Sequence, residues 1–203
     1  MHKELGLNGD YAVAILQANA VAKESVSADG HYHVVCRDKD GNVKWEDGFE
    51  NQVMQIGKQL AMDTLLHTAS GYTLVGPFLG LITSATGYSP TDTMSSHSDW
   101  TEFTNYTVGG SAVRGTAVFG SSTGNNVTSS GSNIVTSAAT AITYTITGAG
   151  GVVTGCFLVT GTGASSTLSS STGTLWSAGG FAVAKTTTAG DSVTCTYTTT
   201  ATS

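Results

Sequence analysis

The chain has 203 residues, a formal net charge of −6, only 11% charged side chains and 26 glycines. That length can bury a core without a disulfide framework, as one large β-sandwich or two small units. An acidic balance with eight dispersed basic residues offers no phosphate-binding surface, so nucleic acid is not an expected partner.

Residues 1–27 read as an N-terminal arm. It carries Lys3, Glu4 and Asp10 but no basic start followed by a long apolar run and a small-residue cleavage site, so no secretion leader is expected. The apolar clusters at 11–16 and 74–82 are far shorter than the ~20 residues a membrane helix needs, and no membrane partner is expected. Within the arm, residues 10–22 are rich in Ala and aliphatics and fit either a short helix or a strand against a neighbouring subunit.

From residue 28 onward a single domain is expected, running to 203. Residues 31–37 and 42–49 are strand-like runs separated by Asp38, Lys39, Asp40 and Gly41, in which Gly supplies positive φ and Asp bonds its own backbone, a hairpin signature. One amphipathic helix is predicted over residues 51–66, with Val53, Ile56 and Leu60 at helical spacing and Asn51 as N-cap. Gly57 should weaken it by about 1 kcal/mol relative to Ala. A buried strand at 74–82 and a long loop at 83–106 follow.

Charge then disappears. Twenty of the 22 charged side chains lie at or before Arg114, leaving Lys185 and Asp191 in the last 89 residues. Such Ser, Thr and Gly bias would ordinarily indicate disorder, but disordered tracts lack β-branched and aromatic residues. Here apolar groups persist at 113–119, 142–146, 152–159, 181–183 and 193–197. Ile142, Tyr144 and Ile146 alternate with Thr143 and Thr145, and Val193, Cys195 and Tyr197 alternate with Thr194, Thr196 and Thr198. A period of two places apolar side chains on one face and hydroxyls on the other, which predicts antiparallel strands with one wetted face. The continuous run at 152–159 predicts a strand covered on both faces. Cys36, Cys156 and Cys195 contain no CxxC pair and read as buried, small apolar thiols consistent with cytoplasmic synthesis.

Several residue sets suggest chemistry. His31 and His33 share one face of a strand, as a metal pair would, but no third ligand lies nearby. Residues 38–42 resemble the start of a calcium loop, yet Phe49 stands where the twelfth-position Glu belongs, so a turn is expected. His97, Ser98 and Asp99 are the residue types of a hydrolase triad but are consecutive, and no GxSxG elbow accompanies them. Asp92, Asp99 and Glu102 offer carboxylates for glycosidic cleavage only if paired at the right separation. Trp45, Trp100 and Trp176 are candidate sugar-stacking platforms, although such rings are more often core. Asn105-Tyr106-Thr107 and Asn126-Val127-Thr128 match the glycosylation pattern, which has no meaning without secretion. The expectation is no enzyme, no cofactor and no metal.

The order of elements also carries a resemblance. The run Gly30-His31-Tyr32-His33-Val34-Val35-Cys36-Arg37-Asp38-Lys39-Asp40-Gly41-Asn42-Val43-Lys44-Trp45, followed by Asn51-Gln52-Val53 and Gly57-Lys58, resembles the opening of a family of small virion proteins of tailed phages, particularly short-tailed ones. Gly80-Leu81-Ile82, residues 92–97, Trp100-Thr101-Glu102 and Tyr106 before Arg114 are similar to its middle section. Gly155-Cys156-Phe157-Leu158 and residues 189–193 are similar to its closing strands. The resemblance implies a jelly-roll-like antiparallel β-sandwich acting as a capsid cement or decoration protein. It would be made in the host cytoplasm and sit on the capsid surface, with the major capsid protein and its own copies, as homo-dimer or homo-trimer, for partners. The alternative is a tail or fibre recognition module that binds a glycan or receptor.

Overall fold

The computed structural model describes residues 27–66, 75–119, 126–128 and 141–202. The arm at 1–26 lies outside them, so its expected helix or strand is outside the described residues as well. The order of elements is β1 (Ser27–Arg37), β2 (Val43–Val53), α1 (Gln55–Leu66), β3 (Phe78–Thr83), β4 (Thr101–Phe103), β5 (Tyr106–Thr107), β6 (Gly115–Thr116), β7 (Asn126–Thr128), β8 (Ile142–Ile146), β9 (Gly151–Thr160), β10 (Thr174–Thr187) and β11 (Ser192–Thr202). The protein is mainly β, as expected, and its strand pairs are antiparallel.

The strands run β4-β3-β9-β10-β2-β1-β11-β8-β5, with β6 added to β3 and β7 to β11. β2 is the corner. Its residues from Val43 to Asn51 pair with β1, while Gln52 and Val53 pair with Ala178 and Ser177 of β10. One strand thereby serves two sheets and curls them toward a nearly closed barrel. On the far side, β6 meets β8 so closely that a Cβ on Gly115 would lie 2.2 Å from the Ile142 side chain.

The alternating strands fold as their period dictates. Ile142, Tyr144 and Ile146 are buried while Thr143 and Thr145 are exposed, and Val193, Cys195 and Tyr197 point into the same core as Tyr32, Val34 and Cys36. β9 is covered on both faces from Gly155 to Thr160, as its apolar run predicts, but Val152 at the head of that run is 43% exposed. Cys156 and Leu158 belong to the core between the sheets, and Phe157 and Val159 to a second core holding Met54, Ile82, Trp100, Leu175 and Ala178.

The predicted hairpin is present, and its turn is built by Asp38. Its Oδ1 accepts the amides of Asp40 and Asn42, both at 2.9 Å, while Gly41 takes φ +88°. Those bonds hold the exposed Asp38 carboxyl below its ordinary pKa, the Asn42 side chain contributing most. The resemblance to a calcium loop is therefore a turn, as the missing Glu indicated.

The helix starts later than predicted. Asn51 is not its N-cap, because Asn51 is held in the ladder opposite Gly30 and its Nδ2 reaches the Tyr197 hydroxyl at 3.4 Å. Val53 likewise belongs to β2. The entering chain satisfies its amides on other carbonyls: Met54 N donates to Trp176 O and Gln55 N to Pro90 O, at 2.8 and 2.9 Å. The long loop after β3 also differs from expectation at its end, where β4 and β5 form short edge pairs with β3 and β8.

Gly57 has a role that helix propensity hides. A Cβ there would lie 2.7 Å from the carbonyl oxygen of Trp176, so its absence lets α1 lie directly on the β10 backbone. Propensity alone predicts that G57A stabilises by about 1 kcal/mol. We expect instead a loss of about 1–3 kcal/mol in urea unfolding, the cost of forcing helix and strand apart.

Candidate functional site

Of the residues singled out by sequence, His97, Trp100 and Glu102 line one pocket of about 240 Å³, together with Met94, Thr101, Arg114, Phe157 and Ser169 to Ser171. Its floor is an ion pair. The Arg114 side chain is wholly buried and Glu102 is 6% exposed, and they join by two parallel bonds, Nε to Oε1 at 2.9 Å and Nη2 to Oε2 at 2.8 Å. Two further guanidinium N–H groups hold the β9–β10 loop, Nη1 on Ser165 O at 3.0 Å and Nη2 on Ser170 O at 2.8 Å. Glu102 Oε2 also accepts the amide of Ser169 at 2.7 Å, and that residue sits at φ +60°. The guanidinium stacks 5.1 Å over Phe157. This is a structural clamp with its charges fully engaged.

His97 and Trp100 form the wall. Their rings stack at 3.8 Å and 14°, and His97 Nδ1 donates to the Trp100 carbonyl at 3.0 Å; since a carbonyl only accepts, Nδ1 carries the proton. Asp92 accepts the Trp100 indole N–H at 3.0 Å and the Ser89 amide at 3.1 Å. Ser98 bonds Asp99 at 3.4 Å, and both are exposed. The structure gathers Asp92, His97, Trp100 and Glu102 but engages the two carboxylates in fixing the loop, and Ser98 bonds Asp99.

The other candidates resolve individually. His33 pairs with Glu46 at 3.0 Å on the outer face, and His31 lies over Gly48, so the two histidines serve the sheet surface. Among the described residues no cluster of three His, Cys, Asp or Glu is arranged to hold a metal. Trp100 is 1% exposed and offers no stacking face. Trp45 packs edge-on against Phe181 and donates to Thr186 O at 3.2 Å. Trp176 donates to the Tyr197 hydroxyl at 3.1 Å and borders an apolar pocket with Phe119 and Leu158. Asn105 uses its side-chain amide to hold Gly150 O at 2.9 Å; the side chain of Asn126 lies outside the described residues.

Two features escaped the sequence reading. The first is the fate of the two late charges. Lys185 pairs with Asp47, and Asp191, 3% exposed, takes Lys44 at 2.6 Å along with the amide and hydroxyl of Thr188. Both late charges thus pair with residues of β2. Two lone, opposite charges in a neutral region were the available signal. Burial works to raise the Asp191 carboxyl, but the Lys44 and Thr188 bonds outweigh it and hold its pKa below the ordinary value. Asp47 is lowered too, chiefly by its bond from Lys185.

The second is an excursion of β10. Gly180 pairs with Gly155 and Lys185 with Val153, so Phe181 to Ala184 face a single residue of β9 and bulge away from it. Phe181 turns inward onto Trp45 and Phe49. Ala182, Val183 and Ala184 remain exposed, Val183 at 69%.

Fold and site together define a mainly antiparallel β protein with an ion-pair clamp and an exposed apolar excursion. Comparison with protein-family models, with curated proteins and with solved structures finds no match to this chain.

Two outcomes follow from the ion pairs. R114M, which leaves Glu102 buried without its partner, is expected to cost about 3–5 kcal/mol in denaturant unfolding, and E102Q in the same assay to cost less. Carboxyls depressed in the folded state stabilise fully above their unfolded values, near ~3.9, and lose that contribution as pH falls through the folded ones. Thermal stability should therefore drop below about pH 4, and D191N should show a shallower acid decline from a lower neutral-pH start.

Proposed function

We propose that this chain is a structural protein of a tailed-phage virion, a cement or decoration protein that binds the major capsid lattice and stabilises the head. The observation that carries the reading is the excursion at Phe181 to Ala184: an apolar knob held out on a long strand, its base fixed by Phe181 between Trp45 and Phe49. A protein gains nothing internally by exposing Val183 there, whereas a partner surface that buries it gains apolar contact. The outer face of the other sheet carries Thr143, Thr145, Thr194, Thr196 and Thr198, short side chains that lose little entropy on contact. The resemblance of residues 30–45 and the later phrases to small phage virion proteins supplies the biological setting.

The jelly-roll-like winding implied by that resemblance, the single domain over 28–203, self-association into a dimer or trimer and the location on the capsid surface belong to this proposal. Self-association would multiply weak contacts on a symmetric lattice. The alternative, a glycan- or receptor-binding module of the tail, draws less support, since Trp100 is buried and the indole N–H groups of Trp45 and Trp176 are bonded internally. Cryo-electron microscopy of the particle separates the two: copies spread over the head are expected, and copies confined to the tail overturn the cement reading.

V183D offers a test of the contact itself. A surface change away from the cores should leave thermal unfolding within about 0.5 kcal/mol of the parent. Attachment to heads lacking the protein, measured by co-sedimentation, is expected to weaken at least about 10-fold from burying a charge in an apolar contact. Undiminished attachment would exclude the knob as the contact.

A further inference from the structure

Cys156 and Cys195 are both wholly buried and their sulfurs lie 3.7 Å apart. They come from different sheets. Cys156 is on β9, flanked by Leu81 of β3 and Gly179 of β10, and Cys195 is on β11, flanked by Val34 of β1 and Ile142 of β8. Their contact therefore crosses the core between the middle strands of the two sheets, which among the described residues share the strand ladder only through β2. Cys36 is occupied elsewhere, its thiol 3.9 Å from Asp191 Oδ2 and 4.0 Å from Arg37 O.

We propose that Cys156 and Cys195 form an inter-sheet disulfide when the protein meets an oxidising solution that contains a small-molecule disulfide, and that this bond staples a fold already complete without it. The inference rests on the core alone and does not depend on what the protein binds. In the reaction the thiolate of one cysteine attacks a sulfur of glutathione disulfide, forming a mixed disulfide and releasing one glutathione thiolate. The second cysteine's thiolate then attacks the protein sulfur of that mixed disulfide and releases the other glutathione. Two protons leave the protein thiols and end on two glutathione molecules; the protein pair is oxidised by two electrons and glutathione disulfide is reduced by two.

Geometry and burial set how this happens. The sulfurs are at van der Waals contact and must close by about 1.7 Å to reach bonding distance. Burial pushes the Cys156 thiol well above its ordinary pKa, so little thiolate exists in the closed core. Oxidation therefore proceeds through opened or refolding molecules, and the folded protein stays reduced in a thiol-rich cytoplasm. Once formed, the bond closes a loop between residues 39 apart that contains all of β10.

The test refolds the full chain in a glutathione redox buffer, traps free thiols by alkylation and maps the cross-links by mass spectrometry, with C36A run in parallel. A Cys156–Cys195 link is expected in both proteins, with a Tm about 5 °C or more above the dithiothreitol-treated sample. C156A and C195A should show no such difference. A link through Cys36 in the native chain would overturn the proposal. So would refolded protein, native by circular dichroism, whose Cys156 and Cys195 remain fully alkylatable after denaturation.

Discussion

A guanidinium with no solvent exposure must find its hydrogen-bond acceptors inside the protein, and Arg114 draws them from two separate stretches of chain. Glu102 comes from β4, and Ser165 and Ser170 from the β9–β10 connection, while Phe157 of β9 supplies the ring beneath. Removing such a charge from water costs several kcal/mol, and bidentate pairing with further carbonyl bonds offsets that cost only when every partner is in place. The clamp therefore imposes a definite course on a serine-rich loop whose own sequence imposes very little. It holds Ser169 in a left-handed conformation through the Glu102 contact to its amide, and it places the edge strand β4 where it pairs with β3.

Charge economy extends the same logic to the seam between the sheets. Past Ala178, β10 separates from β2, and among the described residues neither β10 from Gly179 to Thr187 nor β2 from Val43 to Glu50 pairs with a strand across that gap. The gap is bridged by side chains instead. Trp45 and Phe49 meet Phe181 edge-on within it, and Lys185 crosses it to Asp47, while Lys44 reaches Asp191 in the β10–β11 connection. The late part of the chain thus keeps two charges, of opposite sign, and both engage β2. Its neutrality elsewhere is compatible with solubility because hydroxyls face water on alternate positions, as on β8.

How much of this was legible follows from the range of the interactions. The β1–β2 hairpin and the alternating strands β8 and β11 were readable because period two and turn chemistry are local and repeat within a few residues. The helix start was misplaced because Asn51 and Val53 satisfy helical spacing while the ladder to Gly30 and Ser177, set by distant sequence, claims them for β2. Arg114 with Glu102 and Lys44 with Asp191 join positions 12 and 147 residues apart, and no local pattern announces such partners. The polar set from Asp92 to Glu102 was legible as a cluster but not as to role. Carboxylates and histidines that fix a loop are the same residue types as those that catalyse, and only the bonds they make distinguish them.

The excursion of β10 also answers a hazard created by the rest of the design. A long strand with an open edge and few charges invites pairing with another chain, and proteins commonly guard such edges with charged side chains or bulges. The charge-poor second half has only Lys185 near that edge, and Asp47 already engages it. The bulge at Phe181 to Ala184 breaks the run of edge hydrogen-bonding groups at this point, so strand-to-strand addition along β10 is obstructed. What the edge then presents outward is side chain rather than backbone. A contact made through Ala182, Val183 and Ala184 would depend on the shape of a complementary apolar surface, whereas backbone pairing would accept almost any extended segment. The same irregularity that obstructs indiscriminate addition leaves Ala182, Val183 and Ala184 as a small exposed apolar surface.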